Sequence, residues 1–235
     1  MCTVTLLPIS AKKNGFILTS NRDEAAKREA LSPDFYSEND TKMLYPKDKL
    51  SGGTWIGLSD QNRLICLLNG EFKPHIRESS YRLSRGVVVK DLLGAVSIDE
   101  AIENYNFNNI EPFTIVAVDW NTGLRFLELV WDGKIKHFKD LELKPHIWSS
   151  SPLYTLEMKR TRETWFQEFQ KSNKPNAKSL WEFHTSAGIG DPEIDVIMNR
   201  GSVKTQNITQ IESAQDNIEM RFMDVRDRNK IEIEF

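Results

Sequence analysis

Two runs decide the fold: Met1-Cys2-Thr3-Val4-Thr5-Leu6-Leu7-Pro8-Ile9 and, after Ser10-Ala11-Lys12-Lys13-Asn14-Gly15, Phe16-Ile17-Leu18-Thr19-Ser20-Asn21-Arg22-Asp23-Glu24. The apolar stretches Thr3 to Ile9 and Phe16 to Leu18 flank a polar segment, which predicts a β-hairpin. Closure of that hairpin returns Asn21-Arg22-Asp23-Glu24 towards Cys2. A turn centred near Lys12-Lys13 pairs residues whose numbers sum to about 25, setting Cys2 opposite Asp23. A strict Asn14-Gly15 turn displaces that pairing by about four residues, on the order of 13 Å at the rise of a strand. The sequence leaves both registers open.

Cys2 is small enough for methionine aminopeptidase to remove Met1, so the mature chain is expected to begin at Cys2. A free α-amine with a pKa of about 7.7–8.0 then shares one residue with a thiol of reference pKa about 8.5. Such a residue carries nucleophile and base together and needs no histidine partner. In the first register Asp23 accepts a hydrogen bond from the α-ammonium, and Arg22 offers a cation that favours thiolate. The competing meaning of this charged tetrapeptide is a solvated turn.

Outward from the hairpin, a helical or irregular charged stretch is expected to reach Ser51-Gly52-Gly53, followed by a second hairpin from Thr54 to Leu58 and Leu64 to Leu68. Helices are predicted from Ser84 to Leu93 and, behind a Ser97/Glu100 capping box, to about Asn104. A β-meander of Phe113 to Val118, Leu124 to Trp131 and Lys134 to Phe138 follows, then helices from Leu156 to Gln170 and Ala177 to His184. Val203 to Ile211, Ile218 to Val225 and Ile231 to Phe235 alternate apolar and polar residues as half-buried antiparallel strands do. This order indicates an α+β protein with antiparallel sheets.

With 235 residues, 39% of them hydrophobic, the chain is read as one domain over 1–235. Its 31 Lys and Arg against 34 Asp and Glu give a net charge of -3, without the basic surplus of a nucleic-acid partner. No apolar run approaches the roughly 18–20 residues of a membrane span, and the N-terminus lacks a basic signal flank, so a cytoplasmic protein is expected. Cys2 and Cys66 are too few for a disulfide framework, and Cys66, within Leu64 to Leu68, is assigned to packing. His75, His137, His146 and His184 have no metal spacing, so no metal and no cofactor are implied. Asn39-Asp40-Thr41 and Asn207-Ile208-Thr209 match the glycosylation triplet, which a cytosolic chain does not use. The oligomeric state is left open.

Met1-Cys2, the hairpin, Asn21-Arg22-Asp23-Glu24, Ser51-Gly52-Gly53-Thr54-Trp55-Ile56-Gly57, Leu67-Leu68-Asn69-Gly70 and Ser84-Arg85-Gly86 together resemble the NRDE family, which includes the Transport and Golgi organisation proteins. Lys204-Thr205-Gln206-Asn207-Ile208-Thr209 is compatible with it. The resemblance implies an N-terminal nucleophile (Ntn) hydrolase-like four-layer αββα sandwich with two antiparallel sheets, closest in plan to the penicillin and conjugated-bile-acid amidases. Those amidases place an arginine a few residues before the acidic residue, whereas Ser20 stands three before Asp23 here and the arginine is Arg22. Relatives often carry an asparagine where this chain reads Trp148-Ser149-Ser150-Ser151.

The expected reaction is hydrolysis of a non-peptide or peptide-like C–N amide bond in a small molecule, or acyl transfer from it. Cys2 attacks, its amine moves the proton, Asp23 orients the amine and Arg22 assists. Asn69 has an amide to donate to an oxyanion, although Asn-Gly is also a common turn dipeptide. Asn21, Thr54, Trp55 and Arg200 are the candidate substrate contacts. Gly52-Gly53 permits close backbone approach to a ligand, or marks a turn feeding a strand. Arg200-Gly201 binds a substrate carboxylate or is a surface turn. The alternative function is a non-catalytic binding or trafficking protein for an apolar ligand such as haem or acyl-CoA.

Overall fold

The computed structural model describes residues 2–9, 14–172, 174–214 and 217–235. The chain divides into two compact units, Met1–Arg28 with Lys144–Phe235, and Glu29–Leu143. Among the described residues these hold two antiparallel sheets and four helices, the α+β class that the strand order predicts.

The first unit is built on β1 (Cys2–Pro8) and β2 (Phe16–Ala25), joined in the sheet order β10-β1-β2-β11-β12-β13 by β10 (His146–Ser149), β11 (Val203–Ala214), β12 (Asn217–Asp224) and β13 (Lys230–Glu234). β1 and β2 pair antiparallel with Cys2 opposite Arg22, Thr3 opposite Asn21 and Leu7 opposite Ile17. The expected pairing of Cys2 with Asp23 is therefore off by one, and the Asn14-Gly15 register is not formed. Ile9 N–H donates to the Gly15 carbonyl at 2.8 Å, with Asn14 left-handed at φ 57°. The proposed turn at Lys12-Lys13 lies outside the described residues.

A one-residue slip exchanges the faces of a strand. Thr3, Thr5, Leu7, Ile17, Thr19, Asn21 and Asp23 consequently share one face, and Cys2, Val4, Leu6, Leu18, Ser20 and Arg22 share the other. Helices α3 (Leu156–Ser172) and α4 (Ala177–Ser186) cover the first of these, with Leu7 and Ile17 packing among Phe166, Leu180, Phe183 and Val196. All thirteen of these β1 and β2 side chains, Arg22 included, are under 5% exposed.

The second unit is a meander of β3 (Ala30–Glu38), β4 (Thr41–Asp48), β5 (Ile56–Ser59), β6 (Arg63–Asn69), β7 (Phe113–Asp119), β8 (Arg125–Trp131) and β9 (Lys136–Leu141), in that order across the sheet. The β3–β4 hairpin replaces the helical or irregular stretch expected there. Its turn uses Asn39 (φ 51°) and Asp40 (φ 61°), two left-handed residues in succession, as a tight hairpin requires. Pro33 and Pro46 hide the strands from a pattern reading. Both sit where the ladder is interrupted between Leu31 and Asp34, so neither removes a needed hydrogen bond.

Helix α1 (Arg85–Leu93) is capped by Ser84, whose side chain accepts from Gly86 N–H, and α2 (Ile98–Asn104) by Ser97, whose side chain accepts from Glu100 N–H. Buried Arg63 donates to Asp119 at 3.0 Å and to the carbonyls of Leu92 and Ala95, tying β6 and β7 to the end of α1. The glycines of Ser51-Gly52-Gly53 and Ser84-Arg85-Gly86 meet here. A Cβ on Gly86 would lie 2.9 Å from both the N and the O of Thr54, and one on Gly53 3.0 Å from the Gly86 backbone. The close approach permitted by Gly53 is thus used by α1 rather than by a ligand.

Replacing Gly86 with alanine forces backbone to move at that contact, which outweighs the helix propensity gained. Gly86→Ala is expected to lose about 1–2 kcal/mol in urea denaturation. An unchanged midpoint would mean that α1 and the 53–54 backbone do not touch.

Candidate active site

Cys2 opens β1, an interior strand, and is 1% exposed. Its carbonyl accepts from Ser150 N–H at 3.0 Å on the β10 side, while Arg22 stands opposite on β2. Burial pushes the thiol above its ordinary value; the positive charge of the chain's α-amino group opposes this most, the Asp23 charge adds to the rise, and Ser20 and Arg22 oppose it less. Arg22 therefore does not by itself produce a thiolate; burial dominates. Its Nη1 donates to the Arg28 carbonyl at 3.2 Å.

Asp23 follows Arg22 along β2, beyond the residue that pairs with Cys2 and on the helix-covered face. Its side chain is fully buried, and each carboxylate oxygen accepts one short hydrogen bond, from Tyr154 Oη at 2.6 Å and from Thr205 Oγ1 at 2.6 Å. Thr205 reaches it because β11 carries a bulge between Thr205 and Asn207. Thr205 Oγ1 also accepts from Met198 N–H at 2.9 Å, which leaves its proton for Asp23. Burial raises the Asp23 carboxyl above the ordinary range, while Thr205, Tyr154 and the Arg162 charge restrain that rise.

Behind Tyr154 lies Arg162 of α3, with no exposed surface. Its guanidinium sits 3.7 Å from the Tyr154 ring centroid and donates to Thr3 Oγ1 at 2.5 Å, Ile194 O at 2.9 Å and Asp195 O at 2.6 Å. Sequence reasoning missed Tyr154, Arg162 and Thr205. Two of them left a signal: Thr205 within the Lys204-to-Thr209 stretch, and Arg162 as a cation four residues before Phe166 on the apolar face of its helix.

The Asn21 side chain is buried and its hydrogen bonds are internal. Its Nδ2 donates to the carbonyls of His184 and Val196, both at 2.9 Å, and its Oδ1 lies 2.6 Å from His184 Nδ1. With Oδ1 as the acceptor, His184 carries its proton on Nδ1, and Nε2 accepts from the Thr5 hydroxyl at 2.8 Å. Complete burial, with the nearby Arg162 charge, lowers the His184 pKa to about 3. His184 is a neutral packing residue that fastens α4 to β1 and β2.

Arg200 likewise serves the backbone: its guanidinium donates to Glu193 O at 2.6 Å and Leu153 O at 2.8 Å, bracing the segment that bears Tyr154. Thr54, Trp55 and Asn69 belong to the second unit. Thr54 is buried with Oγ1 2.7 Å from the Pro46 carbonyl and 2.8 Å from that of Ile56, so its hydroxyl holds the β4–β5 connection. Trp55 is 6% exposed, and half-buried Asn69 closes β6 opposite Phe113. Cys66 is buried between Ile56 and Val116 in the ladder, in the packing position expected of it.

The family model described as Transport and Golgi organisation 2 matches residues 1–222. A Transport and Golgi organization protein 2 homolog from Bos taurus is 36% identical over 64 residues, which is 26% of this chain and only 23% of that protein. Conjugated bile acid hydrolase from Clostridium perfringens superposes with a TM-score of 0.59 at 12% identity, over 99% of this chain and 92% of that one. The Caenorhabditis elegans N-acylethanolamine-hydrolyzing acid amidase ortholog gives 0.61 at 12% identity, over 89% and 92%. Penicillin V acylase from Agrobacterium tumefaciens gives 0.57 at 13%, over 100% and 86%. These neighbours are Ntn hydrolases, and the likeness establishes an Ntn-hydrolase-like fold. No helix among the described residues is long and apolar enough to cross a membrane.

His184 supplies a pH test of this packing. Its folded pKa lies below its unfolded value of 6.5, so the stability it confers is present above 6.5 and is lost as pH falls towards 3. From pH 7 to 5 it should remove about 2 kcal/mol in denaturant titrations, and His184→Gln should remove most of that dependence. An equal loss in the variant would assign the acid sensitivity to other groups.

Proposed function

The chain belongs to the Transport and Golgi organisation 2 family, and from that premise we propose that it is an N-terminal-cysteine amidohydrolase acting on a C–N amide bond of a small molecule. The observation that carries this reading is the placement of Cys2 at the head of an interior strand, with Arg22 opposite and the Asp23 carboxylate at the same end of the pair. Structural neighbours named as a bile acid hydrolase, an acid amidase and an acylase support amide chemistry as the class.

A thiol raised by burial is neutral near pH 7 and needs a base at the moment of attack. With Met1 removed, the Cys2 amine is that base. Sγ bonds to the carbonyl carbon as the thiol proton passes to the amine, giving a tetrahedral intermediate and an ammonium that Asp23 stabilises. The ammonium returns the proton to the departing nitrogen as the C–N bond breaks, leaving a thioester on Cys2. Water then attacks, giving its proton to the amine; the C–S bond breaks and the thiol recovers that proton. Arg22 favours the developing negative charge on sulfur. Replacing water with another nucleophile makes the same cycle an acyl transfer.

Incubation with p-nitrophenyl acyl esters, followed by intact-mass analysis and peptide mapping, tests this. The wild type and Cys66→Ala should acquire one acyl group on Cys2, whereas Cys2→Ala should lose at least 100-fold in p-nitrophenol release. Equal release by Cys2→Ala would refute the assignment. Absence of acylation combined with stabilisation by haem or acyl-CoA in thermal melts would replace it with the binding function.

A further inference from the structure

Asp23 is buried on the helix-covered face of the sheet, away from the face that Cys2 presents, and what holds it there comes from outside the β1–β2 hairpin. A buried carboxylate of this kind tends to take up a proton unless donors and a cation keep it charged. Two hydroxyls donate to it, one to each oxygen, at 2.6 Å. They differ in how firmly they are aimed. Thr205 is fixed by its own strand and by Met198 N–H, whereas Tyr154 precedes α3 and its ring is clasped by guanidinium groups, Arg162 at 3.7 Å and Arg200 at 5.4 Å from the centroid.

Arg162 has no exposed surface and spends its donors on two backbone carbonyls and the Thr3 hydroxyl. Its positive charge is answered through the tyrosine: Arg162 lies on the ring, and the ring's hydroxyl donates a hydrogen bond to Asp23. Arg162, Tyr154 and Asp23 form a buried line in which the tyrosine stands between the cation and the carboxylate. We propose that Tyr154 is a positioning residue that holds the Asp23 carboxylate ionised and in one orientation at the head of β1, with Arg162 fixing Tyr154 from behind.

The hold itself stands on these contacts. What Asp23 then does for the Cys2 amine rests on the amidohydrolase reading. The other ionisable or charged groups around Asp23 are the α-amino group at the head of the chain, Cys2 on β1, Arg22 and Glu24 on β2, Lys204 opposite Glu24 on β11, and His184 on α4. None of them is changed by substitution of the Tyr154 hydroxyl.

Carbon-detected NMR of protein labelled with 13C at aspartate carboxyls reads the Asp23 titration directly, with Asp23→Asn identifying its signal. Tyr154→Phe keeps the ring on Arg162 and removes only the hydroxyl. It should raise the Asp23 midpoint by about one pH unit, a tenfold gain in proton affinity, and slow acylation of Cys2 by a p-nitrophenyl ester, by about tenfold at pH values well below the wild-type midpoint and by progressively less above it. Site-specific 3-fluorotyrosine at position 154, a stronger donor, should move the midpoint the other way. A merely structural tyrosine would give no opposed shifts. An unmoved midpoint in both variants overturns the proposal, as does a shifted midpoint with unaltered acylation by a competent wild type. Should the wild type not acylate at all while the midpoints move in opposite directions, the hold on Asp23 is supported and the amidohydrolase reading is the one that fails.

Discussion

The antiparallel register of β1 against β2 governs everything at this site. Pairing Cys2 with Arg22 assigns the thiol and the guanidinium to one face, and sends Asp23, the next residue, to the other. A shift of one residue would exchange those roles, placing the carboxylate beside the sulfur, where its charge would oppose thiolate formation still more strongly. The register is secured on both flanks: β10 pairs with β1 from Thr3 to Leu6, and β11 pairs with β2 along most of its length. The Asn21–His184 and Arg162–Thr3 hydrogen bonds then fasten the helices to the same rungs.

Burial sets the electrostatics that this register arranges. It raises both the Cys2 thiol and the Asp23 carboxyl, so each group tends towards its neutral form. The two are treated differently by their neighbours. Asp23 is given two hydroxyl donors and a nearby Arg162, groups that favour its charge, while Cys2 has Arg22 opposite but remains dominated by desolvation. A neutral thiol on one face and a stabilised carboxylate on the other, at the same end of the strand pair, fit a reaction in which the amine of the same residue moves the proton, rather than one that begins from a preformed thiolate.

Much of this frame is legible in the sequence because it is carried by local patterns. Apolar alternation marks the β1–β2 hairpin and the C-terminal strands, and Ser84 and Ser97 announce their helices. The β3–β4 hairpin is hidden because Pro33 and Pro46 speak against strands, and only the interrupted ladder makes room for them. The exact partner of Cys2 is hidden because a turn of several polar residues permits more than one register. Tyr154, Arg162 and Thr205 are hidden for a different reason: they reach Asp23 from 131 to 182 residues further along the chain, except that Arg162 acts through Tyr154. Asn21, Thr54 and Arg200 were visible as polar residues near motifs, but their donors are committed to backbone carbonyls, which no linear pattern reveals.

The central claim is that Cys2 supplies both the nucleophile and its base. It is tested most directly by preparing the same chain with Met1 retained, from translation without methionine aminopeptidase, and with Met1 removed, and comparing their rates of acylation by one p-nitrophenyl ester. Both forms keep the thiol, Arg22 and Asp23, and differ in whether the Cys2 nitrogen is a free amine. The account predicts a rate at least about 100-fold lower with Met1 retained. Equal rates from two forms of verified mass and equal thermal stability would contradict it.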